Sequence, residues 1–241
     1  MNVFEDLVPH LEELRRRIVV SLLIFSLTFI AACFFSRQLL DLLIKPLGEM
    51  GGVQIFFQKP FEAFLAHVKV AALAALTFSS PVLFTQIWFF LAPGLYASEK
   101  KTILAIAGAS TLLFLVGIFF AYFLAIPWGL RFLLSFQTEN LKPLLSIGPY
   151  FSFITGMILS FGILFDFPVF IVGCVKLGVV KVQTFAGARR LIIVVIFILA
   201  AILTPSPDPV SQILLALPLV LLFEVSLWIA RRVEKKETEL K

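Results

Sequence analysis

The stretch TILAIAGASTLLFLVGIFFAYFLAIPWGL, residues 102 to 130, contains no charged residue. A helix needs about 20 predominantly apolar residues to cross about 30 Å of hydrocarbon, and this run supplies them without interruption. The same texture continues on both sides. Lys69 is the only charge between Glu62 and Glu99, and Asp166 is the only one between Lys142 and Lys176. Over its 241 residues the chain is 60% apolar, 15% charged and holds 28 phenylalanines, with a mean hydropathy of +1.03. So few charges cannot cover a soluble domain of this size. The reading is an all-α integral membrane protein.

Apolar runs between charge clusters predict a single membrane domain over 1–241 with six transmembrane helices, near 18–36, 62–92, 102–126, 150–175, 190–204 and 210–229. The last two are short, the fifth spanning only about 21 Å at 1.5 Å per residue, so local membrane thinning is expected. Residues 231–241 form a charged tail. Lysine and arginine divide unevenly between the two sides. Fourteen lie in the N-terminal tail, the 93–101 loop, the 176–190 region and the C-terminal tail, against five at Arg37, Lys45, Lys59, Arg131 and Lys142. That asymmetry predicts both termini in the cytoplasm and a location in the cytoplasmic (inner) membrane. The net charge of +5 is then a topology signal that requires no nucleic-acid partner. The outer segments 37–61 and 127–149 remain rich in Phe, Leu and Pro and read as amphipathic caps.

Several chemistries are poorly supplied. Two histidines, His10 and His67, are too scattered for a metal site. No GxxxxGK[ST] loop occurs, and no cofactor is implied. Cys33 and Cys174 sit in apolar runs and are expected to be small buried hydrophobes. Arg15, Arg16 and Arg17 before an apolar stretch ending in IAAC imitate a signal peptide, but Glu12 and Glu13 spoil its basic region; the segment is read as a retained first helix. Two rival functions are a proton-coupled secondary transporter with Asp166 as relay, which lacks the expected repeats and paired ions, and an intramembrane protease built on Ser110, which lacks a nearby base.

Candidate residues follow from charges that topology does not require. In FGILFDFPVF, residues 161 to 170, Asp166 is an acid at membrane depth, where facing lipid is costly. Gly162 and Gly173 lie on roughly its face and are expected to admit another backbone. Pro168 removes the amide partner of the Leu164 carbonyl, so a kink is expected beside the acid. Glu224 is the other intramembrane acid. At the cytoplasmic surface, HLEELRRRI (10–18) and WFFLAPGLYASEKK (88–101) carry Glu13 and Glu99. Two carboxylates on one surface suit a pair of arginines, because guanidinium and carboxylate match as forks.

With HLEELRRR, SSPVLFTQIWFFLAPGLYASEKK, FLVGIFFAYFLAIP, FGILFDFPVF and LTPSPDPVSQILLALPLVLLFEVS in this order, the chain resembles the TatC family, the multispanning component of the twin-arginine protein translocase, from His10 to about Arg232. The resemblance implies a concave, glove-like six-helix fold whose cytoplasmic face binds twin-arginine signal peptides of folded cargo. It implies assembly with single-span TatA and TatB partners, self-association, the protonmotive force as energy source, and no enzymatic activity. It places Phe90, Glu99 and Glu13 on the signal peptide, and Thr204 and Gln212 where a partner span docks. Pro46, Pro81 and Pro168 read as structural. The family commonly carries Glu where this chain has Asp166, so the acid here reaches one methylene less far.

Overall fold

The computed structural model describes residues 3–48, 55–91, 100–135, 137, 144–203 and 209–239. The described chain is almost wholly helical, as its composition requires, since only helices and closed barrels satisfy the backbone in lipid. The elements are α1 (Val3–Phe34), α2 (Ser36–Gly48), β1 (Ile55–Phe56), α3 (Pro60–Leu91), α4 (Lys100–Phe120), α5 (Ile126–Leu134), β2 (Leu145–Ser146), α6 (Ile147–Phe165), α7 (Phe167–Lys176), α8 (Val182–Gly187), α9 (Arg189–Leu203) and α10 (Pro209–Glu239). Among the described residues, four stretches are long and apolar enough to cross a membrane: Leu11–Phe34, Pro60–Leu91, Lys100–Leu134 and Ile147–Lys176. The helix at α9 has 15 residues, a length of about 22 Å. In α10 the helix persists to Glu239, past residue 229.

The helices follow one another in a chain of contacts. α1 packs on α3, α3 on α4 and α6, α4 on α6, α7 on α10, and α10 on α9. The main core is therefore central. Phe151, Ile154, Phe161 and Phe165 of α6, Ile171 of α7 and Phe223 and Leu227 of α10 are buried in one cluster. α1 lies at one end of the series, and Leu22, Leu23, Leu27 and Ile30 are exposed along it. Its inner side meets small residues, with Ala32, Ala71 and Ala74 clustered. Small side chains let helices approach closely where lipid offers no hydrophobic drive. This one-sided packing also overturns the expectation for Cys33, which is exposed, whereas Cys174 is buried.

The cap segments roof one end of the bundle. In α2, Leu40, Leu43, Pro46 and Leu47 are buried, and β1 pairs in parallel with β2, Ile55 opposite Leu145 and Phe56 opposite Ser146. Glu62 ties this junction, accepting from the Gln58 amide at 3.1 Å and the Ser146 hydroxyl at 2.8 Å.

Each proline leaves a carbonyl without its amide partner, and two side chains fill such vacancies. Pro46 frees the Leu42 carbonyl, to which the Tyr122 hydroxyl donates at 2.8 Å. Pro81 frees the Thr77 carbonyl, to which the Ser80 hydroxyl donates at 2.7 Å. The sequence reading also missed a widened turn. Residues Ala121–Ala125 wind as a π-helix between α4 and α5, with the Ile126 amide donating to the Ala121 carbonyl. Pro127 follows directly and offers no amide of its own, and a π-bulge is one way a helix absorbs such a defect.

The fourth apolar stretch is broken at Asp166, which ends α6 and begins α7. The Asp166 amide donates to the Ile163 carbonyl at 3.1 Å in a tighter, three-residue turn. The glycines beside it do not admit a backbone, contrary to expectation. Gly162 faces the Phe114 ring and Gly173 faces the Trp88 ring. The close backbone approach occurs at Gly117 of α4, where an added Cβ would stand 2.5 Å from the Phe161 carbonyl oxygen and 2.8 Å from the Phe165 Cβ.

Candidate functional site

Two polar places stand out within the apolar bundle. The first joins three helices. Trp88 of α3 is buried, and its indole Nε1–H donates to the Ser110 Oγ of α4 at 2.8 Å. Asp166, at the break between α6 and α7, lies beside Ser110. Its Oδ1 is buried and, among the described residues, has no hydrogen-bond partner. A buried polar atom without a partner costs about 1–3 kcal/mol, so the acid is held in place at a cost to stability. Ring packing fixes the donor end, because Gly173 leaves room for the Trp88 ring beside α7. Trp88 had no role in the sequence reading, and Ser110 entered it only as the nucleophile of the rival protease reading. An indole, a serine and an acid on three separate helices give no periodic signal.

The second place is a groove between α1 and α3 of about 410 Å³. Leu22, Phe25, Leu83, Ile87 and Phe90 are among its lining, and among the described residues Arg17 is the one charged residue on its wall. The Arg17 guanidinium is turned to one end of it. Its Nε donates to Glu13 Oε1 at 3.1 Å, and Nη2 closes onto the same oxygen. Nη1 donates to Gln86 Oε1 at 3.3 Å, and the guanidinium carbon lies 5.5 Å from the Phe89 ring centroid. The helix explains the first pair, since residues four apart share a face and Glu preceding Arg is the better order. The other contacts exist only because α1 lies along α3.

The remaining candidates are dispersed. Glu224 pairs with Arg189 at 2.6 Å, joining α10 to the start of α9. Gln212 donates from Nε2 to the Phe197 carbonyl of α9 at 2.9 Å. Glu99 and Thr204 lie outside the described residues. The protease alternative has no support, because Ser110 is bonded to Trp88 and His67 faces Ser36, with Nδ1 3.1 Å from its Oγ. The transporter alternative has none either: among the described residues Asp166 has no ion pair, and Glu224 is paired with Arg189.

A family model described as Sec-independent protein translocase protein (TatC) matches residues 9–218. The chain belongs to the TatC family. A TatC of Magnetococcus marinus is 39% identical over 235 residues, covering 97% of this chain and 86% of that protein. A TatC of Carboxydothermus hydrogenoformans is 36% identical, covering 98% and 96%. The fold is similar to a crystal structure of a twin-arginine translocase receptor, TatC, solved in DDM, with a TM-score of 0.83, 32% identity, and coverage of 92% of this chain and 99% of that one. As a TatC, the chain is a multi-pass membrane protein of a protein-transport family, with the all-α bundle that the resemblance implied.

Proposed function

We propose that this protein is the receptor subunit of a twin-arginine translocase. It recognises the signal peptides of folded precursors at its cytoplasmic face and gathers TatA- and TatB-type single-span partners, with further copies of itself, for export driven by the protonmotive force. The observation that carries the reading is the α1–α3 groove. It is apolar along most of its wall, and Arg17 on that wall is bonded to the Glu13 carboxylate and lies near Phe89. A peptide with arginines followed by an apolar run has that same order of chemistry. Glu99, eight residues along the chain from Leu91, is the second carboxylate offered to the arginine pair. On this reading the chain crosses the cytoplasmic membrane six times, with the short α9 and the first part of α10 as the two final spans and both termini inside. Thr204 and Gln212 belong to the edge where a partner span docks.

The test is site-specific photocrosslinking from positions 90 and 99 to a twin-arginine precursor, with a twin-lysine precursor as control. Removing a carboxylate from an arginine pair costs about 1.5–3 kcal/mol, roughly 10- to 150-fold in affinity. Glu99→Gln combined with Glu13→Gln is therefore expected to abolish most crosslinking while membrane insertion stays normal. Unchanged crosslinking in the double variant would remove the acids from recognition.

A further inference from the structure

The carboxylate offered to a cargo arginine already holds one. Of the three consecutive arginines, Arg15 and Arg16 are exposed and, among the described residues, neither has an ion pair, whereas Arg17 is held by Glu13, Gln86 and Phe89. We infer that Glu13, Gln86 and Phe89 form a guanidinium slot that Arg17 fills in the resting protein, and that a cargo arginine must displace Arg17 to enter it. This rests on the receptor reading above.

The chemistry of the slot is specific to a planar cation. Glu13 supplies charge, the Gln86 carbonyl accepts from a second edge of the fork, and the Phe89 face attracts the cation's charge. An ammonium, compact and strongly hydrated, cannot meet the three partners in one plane. The resident is also held incompletely. Both Arg17 donors converge on Glu13 Oε1, and Glu13 Oε2 accepts no hydrogen bond from the described residues. A guanidinium arriving on another chain can take both carboxylate oxygens side by side, which is the stronger geometry. The position favours exchange as well. The Arg17 and Glu13 side chains are 20% and 37% exposed, so the slot is accessible, and Arg17 lines the groove through which the apolar part of a signal peptide would run. Arg17 thereby sets a threshold: weak or single cations do not evict it.

Occupancy by a resident lowers apparent affinity by the fraction of the time the slot is vacant. A half-exposed pair with an added amide and ring contact makes that fraction small, so vacating the slot is expected to tighten binding by roughly 5- to 30-fold. The experiment uses the full chain in nanodiscs with a fluorescent twin-arginine signal peptide and its twin-lysine counterpart. Arg17→Gln should tighten twin-arginine binding by that factor. Arg16→Gln, which removes the same charge next door, should leave it within about twofold because the charge is screened in salt. Arg17→Lys should fall between wild type and Arg17→Gln, and serves if the glutamine variant inserts poorly. A second readout needs no signal peptide: arginine amide should raise the melting temperature of Arg17→Gln, but not that of wild type or of Arg17→Gln combined with Glu13→Gln. Unchanged or weaker twin-arginine binding in Arg17→Gln, or equal tightening in Arg16→Gln, overturns the slot while the receptor reading stands. Arginine amide rescue without any preference of the peptide for arginine over lysine keeps the slot and overturns the receptor reading.

Discussion

Replacing Asp166 by leucine is expected to make the protein more stable and less active. Asp166 Oδ1 is buried without a partner, and removing such an atom returns about 1–3 kcal/mol. The exchange also removes the polar contact between Asp166 and the neighbouring Ser110, which offsets about 0.5–1.5 kcal/mol, while the bond from Trp88 to Ser110 persists. The net is about 1 kcal/mol of added stability, or about 2–4 °C in melting temperature for a chain of this length. Thermal unfolding of the purified protein in detergent measures that term. Export of a folded twin-arginine reporter, normalised to the inserted protein, measures the other. Export should fall, because the acid is the polar group at the break between α6 and α7, and an aliphatic side chain removes it. Asp166→Asn preserves hydrogen bonding and Asp166→Glu preserves charge, so both should retain much of the activity. The reasoning is refuted if Asp166→Leu melts several degrees lower, or exports at the wild-type rate. If asparagine is as inactive as leucine while glutamate works, charge itself is required and polarity alone does not explain the role of the acid.

Three further outcomes are expected. Gly117→Ala should destabilise by about 1–3 kcal/mol, because the new Cβ meets the Phe161 carbonyl oxygen at 2.5 Å and a backbone cannot rotate aside; Gly108→Ala and Gly156→Ala, with nothing within 4 Å, should be neutral or slightly stabilising in the same thermal assay. Tyr122→Phe should cost about 0.5–1.5 kcal/mol by removing the donor to the Leu42 carbonyl, and less in a Pro46→Ala background, where the backbone regains an amide donor; a double-mutant cycle with no coupling would refute this link. Cysteine substitutions at Ser98, Ser206 and Thr238, probed with an impermeant thiol reagent in intact cells on a background lacking exposed Cys33, should label position 206 alone; labelling at 98 but not at 206 would reverse the orientation.

Much of this protein was legible in its residues because the bilayer imposes one-dimensional rules. An uncharged run such as 102–130 has few alternatives to a helix in lipid, and the break near Asp166 follows from the missing amide of Pro168. The acids that topology leaves unexplained led to Glu13 and Asp166 as candidate residues. Their surroundings were not legible, for a physical reason. Periodicity reports which residues share a face of one helix, and says nothing about what another helix brings to that face. Gly162 and Gly173 looked like openings for a backbone, yet the rings of Phe114 and Trp88 occupy them, and the true backbone contact fell to Gly117. Arg17 read as a membrane anchor, indistinguishable from Arg15 and Arg16. Only the packing of α1 against α3 sets Gln86 and Phe89 beside it, and only the meeting of α3, α4 and the α6–α7 break brings the bonded Trp88 and Ser110 beside Asp166. Local chemistry determined where the helices and acids are. Contacts between helices, with no local sequence signature, decided what each acid faces.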